Sequence, residues 1–252
     1  MRRKLAAVML AVVAAAGLVA CSSSKNDANV LKVGTEGNYS PFTYQDNGGT
    51  LTGYDIDVIK AVGDKIGKKI EFTTAPWDSL FAALESKRVD LIANQVTVKP
   101  EREQKYSLSQ PYTVSEGVIV TKTGNDGIHT LADLNGKTCA QSETSNWADV
   151  AKQAGCKVEA IPGFVEATQL LKTGRADATV NDTLAVNAYT KAQGTGTIQI
   201  VGKTGETSKQ AFAARKDEQA LTDQINKALD ELRADGTLAK ISDKYFGTDV
   251  SK

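Results

Sequence analysis

The chain has 252 residues, 41% of them hydrophobic and 24% charged, which is ordinary for a globular protein. Its 30 basic and 30 acidic residues balance, and without a clustered basic excess it lacks the footprint of a nucleic-acid binder. Three cysteines, Cys21, Cys139 and Cys156, fit no zinc-ligand spacing, and the single histidine, His129, lies in a Gly-Ile-His-Thr turn that argues against histidine-based catalysis.

Residues 1–20 open with Met1-Arg2-Arg3-Lys4 and continue as an apolar run from Leu5 to Ala20. The run is shorter than the roughly 20 residues that span a bilayer. A basic start before such a run is the pattern of a secretory signal peptide. Leu18-Val19-Ala20-Cys21, followed by Ser22-Ser23-Ser24, has the lipobox pattern of bacterial lipoproteins. Acylation at Cys21 is therefore expected, leaving the mature chain tethered to a membrane outside the cytoplasm. Loss of Arg2, Arg3 and Lys4 leaves 27 basic against 30 acidic residues, a net charge of −3. Residues 21–29 are small and polar and read as a flexible tether.

From Val30 the pattern alternates strands and helices. Leu31 to Thr35 reads as a strand. Tyr54 to Ile66 carries Ile56, Val58, Ile59, Val62 and Ile66 at helical spacing. Lys69 to Thr73 is a second strand, a helix follows around Trp77, Leu80, Phe81 and Leu84, and Val89 to Ala93 is a third strand. Strands alternating with helices of this length imply a parallel sheet. Ser115 to Thr121 is a longer strand closed by the turn Gly124-Asn125-Asp126-Gly127.

The rhythm then restarts. Strands are expected at Lys137–Gln141, Lys157–Ile161, Ala178–Asn181, Ile198–Val201 and Ala211–Ala214, with a loop over Gly202–Lys209. Helices are expected at Asn146–Ala154, Phe164–Lys172, Leu184–Gln193 and Leu221–Arg233, the last with Leu221, Ile225, Leu229 and Leu232 on one face. Gly236 interrupts, and Leu238 to Tyr245 forms a final helix. No Gly-x-Ser-x-Gly hydrolase elbow occurs. Gly202-Lys203-Thr204 fails as a phosphate loop, because the position five before the glycine is Thr197.

Several segments, in this order and spacing, resemble the extracytoplasmic solute-binding proteins of polar amino-acid ABC transporters. They are Gly34-Thr35-Glu36 to Tyr39-Ser40-Pro41-Phe42, Leu51 to Asp57, Trp77-Asp78-Ser79-Leu80, and Asp90 to Thr97. Glu101-Arg102, Gly174 to Ala178, Asp235 to Leu238 and Tyr245-Phe246-Gly247 complete the pattern. The resemblance covers essentially the whole mature chain. It implies a two-lobed α/β fold of the periplasmic-binding-protein type (type II), without cofactor or metal. Lobe one is expected over residues 30–111 and 210–252, and lobe two over residues 117–206. Two hinge segments, near Tyr112–Glu116 and Thr207–Lys209, would join them. Cys139 and Cys156 open successive strands of lobe two in a compartment that permits disulfides, so they are expected to pair.

The resemblance also assigns roles. Arg102 would grip the ligand α-carboxylate with two parallel guanidinium donors, helped by Thr97, and Asp182 would take the α-ammonium. Ser145 and Asn146 start a helix whose free N–H groups favour an anion, although Thr144 stands where the family usually has glycine. Selectivity would fall to Glu36, Tyr39, Trp77, Asn94, Gln95 and Trp147. The Asn94-Gln95 pair, followed by Glu101-Arg102 and Lys105-Tyr106, most resembles the cystine-binding branch. Glu36 speaks for a cationic ligand, arginine or lysine. Two other readings stay open on the same fold: a dehydratase resembling cyclohexadienyl dehydratase, with Glu36 as acid or base, and a sensor that presents its closed form to a receptor. The partners implied are an L-amino acid, an ABC permease and the membrane, with the protein a monomer.

Overall fold

The computed structural model describes residues 29–194 and 196–252. The signal peptide, the lipid attachment at Cys21 and most of the tether lie outside the described residues. Among the described residues no helix is long and apolar enough to cross a membrane.

Lobe one is built on three parallel strands, β1 (Val30–Thr35), β5 (Lys69–Thr74) and β6 (Leu91–Thr97), in the order β5-β1-β6. A small antiparallel sheet, β2 (Asn38–Tyr39), β3 (Thr43–Gln45) and β4 (Leu51–Thr52), lies between β1 and the first helix. Helix α1 (Tyr54–Ile66) buries Ile56, Val58, Ile59 and Val62, and ends on Gly67 in the left-handed region, whose N–H bonds the Gly63 carbonyl. Helix α2 (Trp77–Glu85) buries Trp77, Leu80 and Leu84. After β6 come α3 (Pro100–Lys105) and β7 (Tyr106–Leu108), neither legible as an element from periodicity.

The long strand β8 (Thr113–Lys122) leads into lobe two. There β9 (Thr138–Gln141), α4 (Asn146–Gln153), β10 (Lys157–Ala160), α5 (Phe164–Thr173), β11 (Thr179–Asp182) and α6 (Thr183–Gln193) follow the expected alternation. A 3-10 turn at Leu131–Leu134 precedes β9. Strands β9 and β10 are parallel, and β11 runs antiparallel to β8. Cys139 and Cys156 are joined by a disulfide with Cα atoms 5.9 Å apart.

The chain returns on β12 (Ile198–Arg215), then α7 (Gln219–Ala234) and α8 (Thr237–Phe246) close against α1 and the lobe-one sheet. Here the structure differs from the sequence reading. The expected loop over residues 202–209 belongs to one continuous strand, which pairs with β8 and then, past Gln210, with β6. Polar residues such as Thr207-Ser208-Lys209 carry no strand signal of their own. Their ladder partners are Glu116, Ser115 and Val114. Register shifts at Ile200/Gly202 and Lys203/Thr207 absorb the glycines. Gly202 is tight as well: a Cβ there would stand 2.1 Å from the His129 carbonyl oxygen. The two crossing segments are thus one antiparallel ribbon.

Buried apolar residues fall into separate clusters. Val33, Ile59, Phe212 and Leu229 centre one, and Leu80, Ile92 and Tyr106 another, both in lobe one. Ile119, Cys139, Trp147 and Val180, and separately Val118, Phe164 and Leu171, make the lobe-two cores.

Candidate functional site

A cleft with about 500 Å³ of empty space, part of it open to solvent, lies between the lobes. Strand ends build it: Glu36 follows β1, Gln141 ends β9, and Asn181 stands near the end of β11. Open α/β sheets bind ligands at these carboxyl ends. Eight of the residues singled out from the sequence line the cleft: Glu36, Tyr39, Trp77, Asn94, Gln95, Ser145, Asn146 and Trp147. Thr97, Arg102 and Asp182 do not line it: Thr97 bonds Asn146, Arg102 bonds the Thr97 carbonyl, and the Asp182 N–H bonds Asn181.

The lobe-one wall is locked internally. Asn94 Oδ1 accepts from the Glu36 N–H at 2.7 Å, and its Nδ2 donates to Glu36 Oε2 at 2.5 Å. Gln95 sits in the left-handed region at φ 50°, costly for a residue with a side chain. Asp55 compensates: its two oxygens accept from the Gln95 N–H at 2.8 Å and from Nε2 at 2.6 Å. Gln95 Nε2 also donates to the Thr113 hydroxyl of β8 at 3.2 Å. Gln95 Oε1 is buried with no partner.

Burial raises the acids of this region. The Glu36 carboxyl is pushed up to about 7, with Asn94 opposing and Glu166, Asp78 and Asp55 adding like charge. Asp55 is likewise raised to about 7 and Asp182 to about 6, burial leading in each case. Asp182 accepts from the Ser115 hydroxyl and caps α6 by accepting from the Leu184 N–H at 2.8 Å. Its cap is a local role that an acid before an apolar helix ordinarily fills.

Arg102 is 5% exposed. Its guanidinium lies 5.2 Å from the Trp77 ring centre and 5.6 Å from that of Phe81, within cation–π range. It donates to the Thr97 carbonyl at 3.0 Å and, across the cleft, to the Thr144 carbonyl at 3.3 Å. Burial lowers its pKa to about 10, with Asp149 opposing, so it remains a cation at neutral pH.

The lobe-two wall is looser. Ser145 caps α4 by accepting from the Ala148 N–H at 3.0 Å. Trp147 lies against Gly117, where a Cβ would stand 2.4 Å from the indole ring; it lines the cleft and belongs to the core at once. Thr144 needs no left-handed backbone. It donates its hydroxyl to Asp78 at 2.5 Å. Gln141, Asn181 and Gly163 also line the cleft and were not singled out from the sequence. The one available signal was the position of Gln141 and Asn181 at strand ends.

Side chains bridge the lobes directly. Tyr39 donates to Asn181 Oδ1 at 2.8 Å, Thr97 to Asn146 Oδ1 at 2.9 Å, and Lys99 pairs with Asp149 at 2.6 Å. These contacts hold the cleft shut.

Over 270 residues, covering all of both chains, the chain is 46% identical to the L-cystine-binding protein TcyA of Bacillus subtilis. An ancestral arginine-binding protein bound to arginine, 40% identical, gives a TM-score of 0.82 over 87% of this chain and 99% of that one. The L-cystine solute receptor of Neisseria gonorrhoeae in its unliganded open conformation, 39% identical, gives 0.59 over 88% and 94%. Residues 31–248 match the corresponding family model, and the chain belongs to the bacterial extracellular solute-binding proteins, family 3.

Proposed function

We propose that this protein captures an L-amino acid, with L-cystine the favoured ligand, and delivers it to an ABC permease by hinge closure. The observation that carries the ligand is the full-length 46% identity to a protein that binds L-cystine. The cleft supports it: Tyr39 and Trp77 offer apolar walls for a disulfide, and Arg102 and Thr97 stand beside Ser145 and Asn146, where an α-carboxylate would sit. Asp182, near Tyr39 and Asn181, takes the α-ammonium. Lobe one, residues 30–111 and 210–252, binds first because its wall is already locked; lobe two, residues 117–206, closes over the ligand and shifts the open–closed equilibrium. The separate apolar cores support that division. The protein acts as a monomer outside the cytoplasm, anchored by lipid on Cys21.

Arginine or lysine is the second reading, favoured by the Glu36 oxygen that Asn94 leaves free and by the likeness to an arginine-binding protein. The role is binding without catalysis. The support for this is the match to a family of solute-binding proteins; Glu36 is the one carboxylate among the residues that line the cleft. A thermal-shift screen of all amino acids, then competition against labelled cystine, tests the ligand, since a ligand bound only by the folded state raises Tm. Cystine should compete at least tenfold better than arginine, glutamine or histidine. Displacement by arginine at equal or lower concentration would overturn the cystine reading. Turnover of prephenate would overturn the non-enzymatic one.

A further inference from the structure

Asp78, in the first turn of α2, and Thr144, in the turn before α4, are exposed and stand outside the cleft lining. They meet across the lobe seam, 66 positions apart. Asp78 Oδ1 accepts twice from Thr144, from the backbone N–H at 3.1 Å and from the hydroxyl at 2.5 Å. Both bonds end on a carboxylate, which strengthens them over neutral pairs. The Thr144 carbonyl accepts from Arg102 at 3.3 Å. Lobe one therefore holds the N–H, the hydroxyl and the carbonyl of one lobe-two residue.

That residue has a telling place in the chain. Ser145, next to it, caps α4, and Asn146 accepts from Thr97. Holding Thr144 thus fixes where the start of α4 stands against Thr97 and Arg102. The Tyr39–Asn181 and Thr97–Asn146 bridges use residues that line the cleft, so a ligand can compete for their polar groups. The Asp78–Thr144 bonds leave the lining free. A contact between lobes is lost when they part, so this one stabilises the closed form alone. A group that favours the closed form without touching the ligand shifts the apparent affinity of every ligand by one factor, the change in the competent population.

We infer that Asp78 and Thr144 form a ligand-blind latch: a positioning pair that sets the open–closed balance and the seat of α4, and so scales affinity for all ligands equally. The inference rests on the reading above only in taking an amino acid to be held between the lobes; it does not depend on which one.

Calorimetry with L-cystine, L-arginine and L-glutamine tests it on the wild type, Thr144→Val, Asp78→Ala and the double variant, with Tm checked for an intact fold. Spin labels on the two lobes report the closed fraction of the same proteins without ligand. Valine keeps the shape and charge of Thr144 and removes the hydroxyl. Thr144→Val should weaken every ligand that binds by the same factor, about fivefold, and lower the closed fraction. The double variant should match Asp78→Ala, because both changes remove one shared contact. A loss in Thr144→Val confined to one ligand makes Thr144 a selectivity contact and overturns the latch. Additive losses in the double variant overturn it too, since the two residues then act apart. So do wild-type affinities together with an unchanged closed fraction. A wild type that binds no amino acid overturns the functional reading instead, and the latch then stands or falls on the closed fraction in Thr144→Val.

Discussion

The two walls of the cleft differ in how their polar groups are held. On lobe one, Asn94 is bonded to Glu36, and Gln95 to Asp55, before any ligand arrives. On lobe two, Gln141 Nε2 has no partner, and Asn146 is engaged only by Thr97 from the opposite lobe. Lobe one keeps orphans too, Gln95 Oε1 and Trp77 Nε1, but its two amides are bonded without help from the opposite wall, whereas Asn146 meets its partner across the seam. A preorganised face loses little ordering entropy on first contact, which suits the lobe that binds first. An unfinished face has more to gain from the ligand, which suits the lobe that moves.

The largest expected effect comes from breaking the lobe-one side. Arg102→Ala should cost about 2–5 kcal/mol of binding, because it leaves the ligand carboxylate buried and unpaired. That is about 30-fold or more in Kd. Calorimetry near the wild-type affinity would take Arg102 out of the site. An unchanged melting profile would show that the loss is not unfolding.

The lobe-two side has a covalent support in Cys139–Cys156, whose partners are 17 positions apart. Replacing both by serine should destabilise the protein by about 3 kcal/mol on chain-entropy grounds, a Tm drop of roughly 6–12 °C for a chain of this size. Free thiols counted in denatured wild-type protein without reductant would remove the premise.

The buried acids make a third test. Asp55, raised to about 7, and Asp182, raised to about 6, hold protons in the folded state that an unfolded chain has released above its ordinary carboxylate value. Their contribution is present in acid and is lost as pH rises from about 4 through 6 and 7. The ligand-free protein should therefore melt lower at pH 8 than at pH 5. Asp55→Asn, which cannot ionise, should lower Tm at every pH and flatten that slope. A slope as steep as the wild type's would show that Asp55 does not titrate there.

The smallest effect belongs to the rim. Lys99 and Asp149 pair at 2.6 Å but keep 25% and 45% of their side chains exposed. Such a pair contributes about 0.2–1 kcal/mol. Lys99→Ala should weaken ligand binding by no more than about fivefold, and salt should erase the difference. A larger, salt-insensitive loss would place Lys99 in the binding wall itself.

Elements with a local, periodic signal were legible along the chain. Ile56, Ile59 and Val62 recur at helical spacing and all turn inward in α1, and Ile225, Leu229 and Leu232 do the same in α7. Fold class followed from strands and helices alternating twice. The motif order brought most of the named residues to one cleft. The rest was settled by contacts between distant segments. Thr207-Ser208-Lys209 became strand because β8 supplied the ladder. Asn94 and Gln95 turned out to be held by Glu36 and Asp55, 58 and 40 positions away. Gln141, Glu166 and Asn181 carry no periodic signature, being single polar residues at a strand end or a helix start. Whether a polar atom is paired, orphaned or opposed by a like charge depends on groups brought together across the lobe seam, and no local pattern along the chain encodes that meeting.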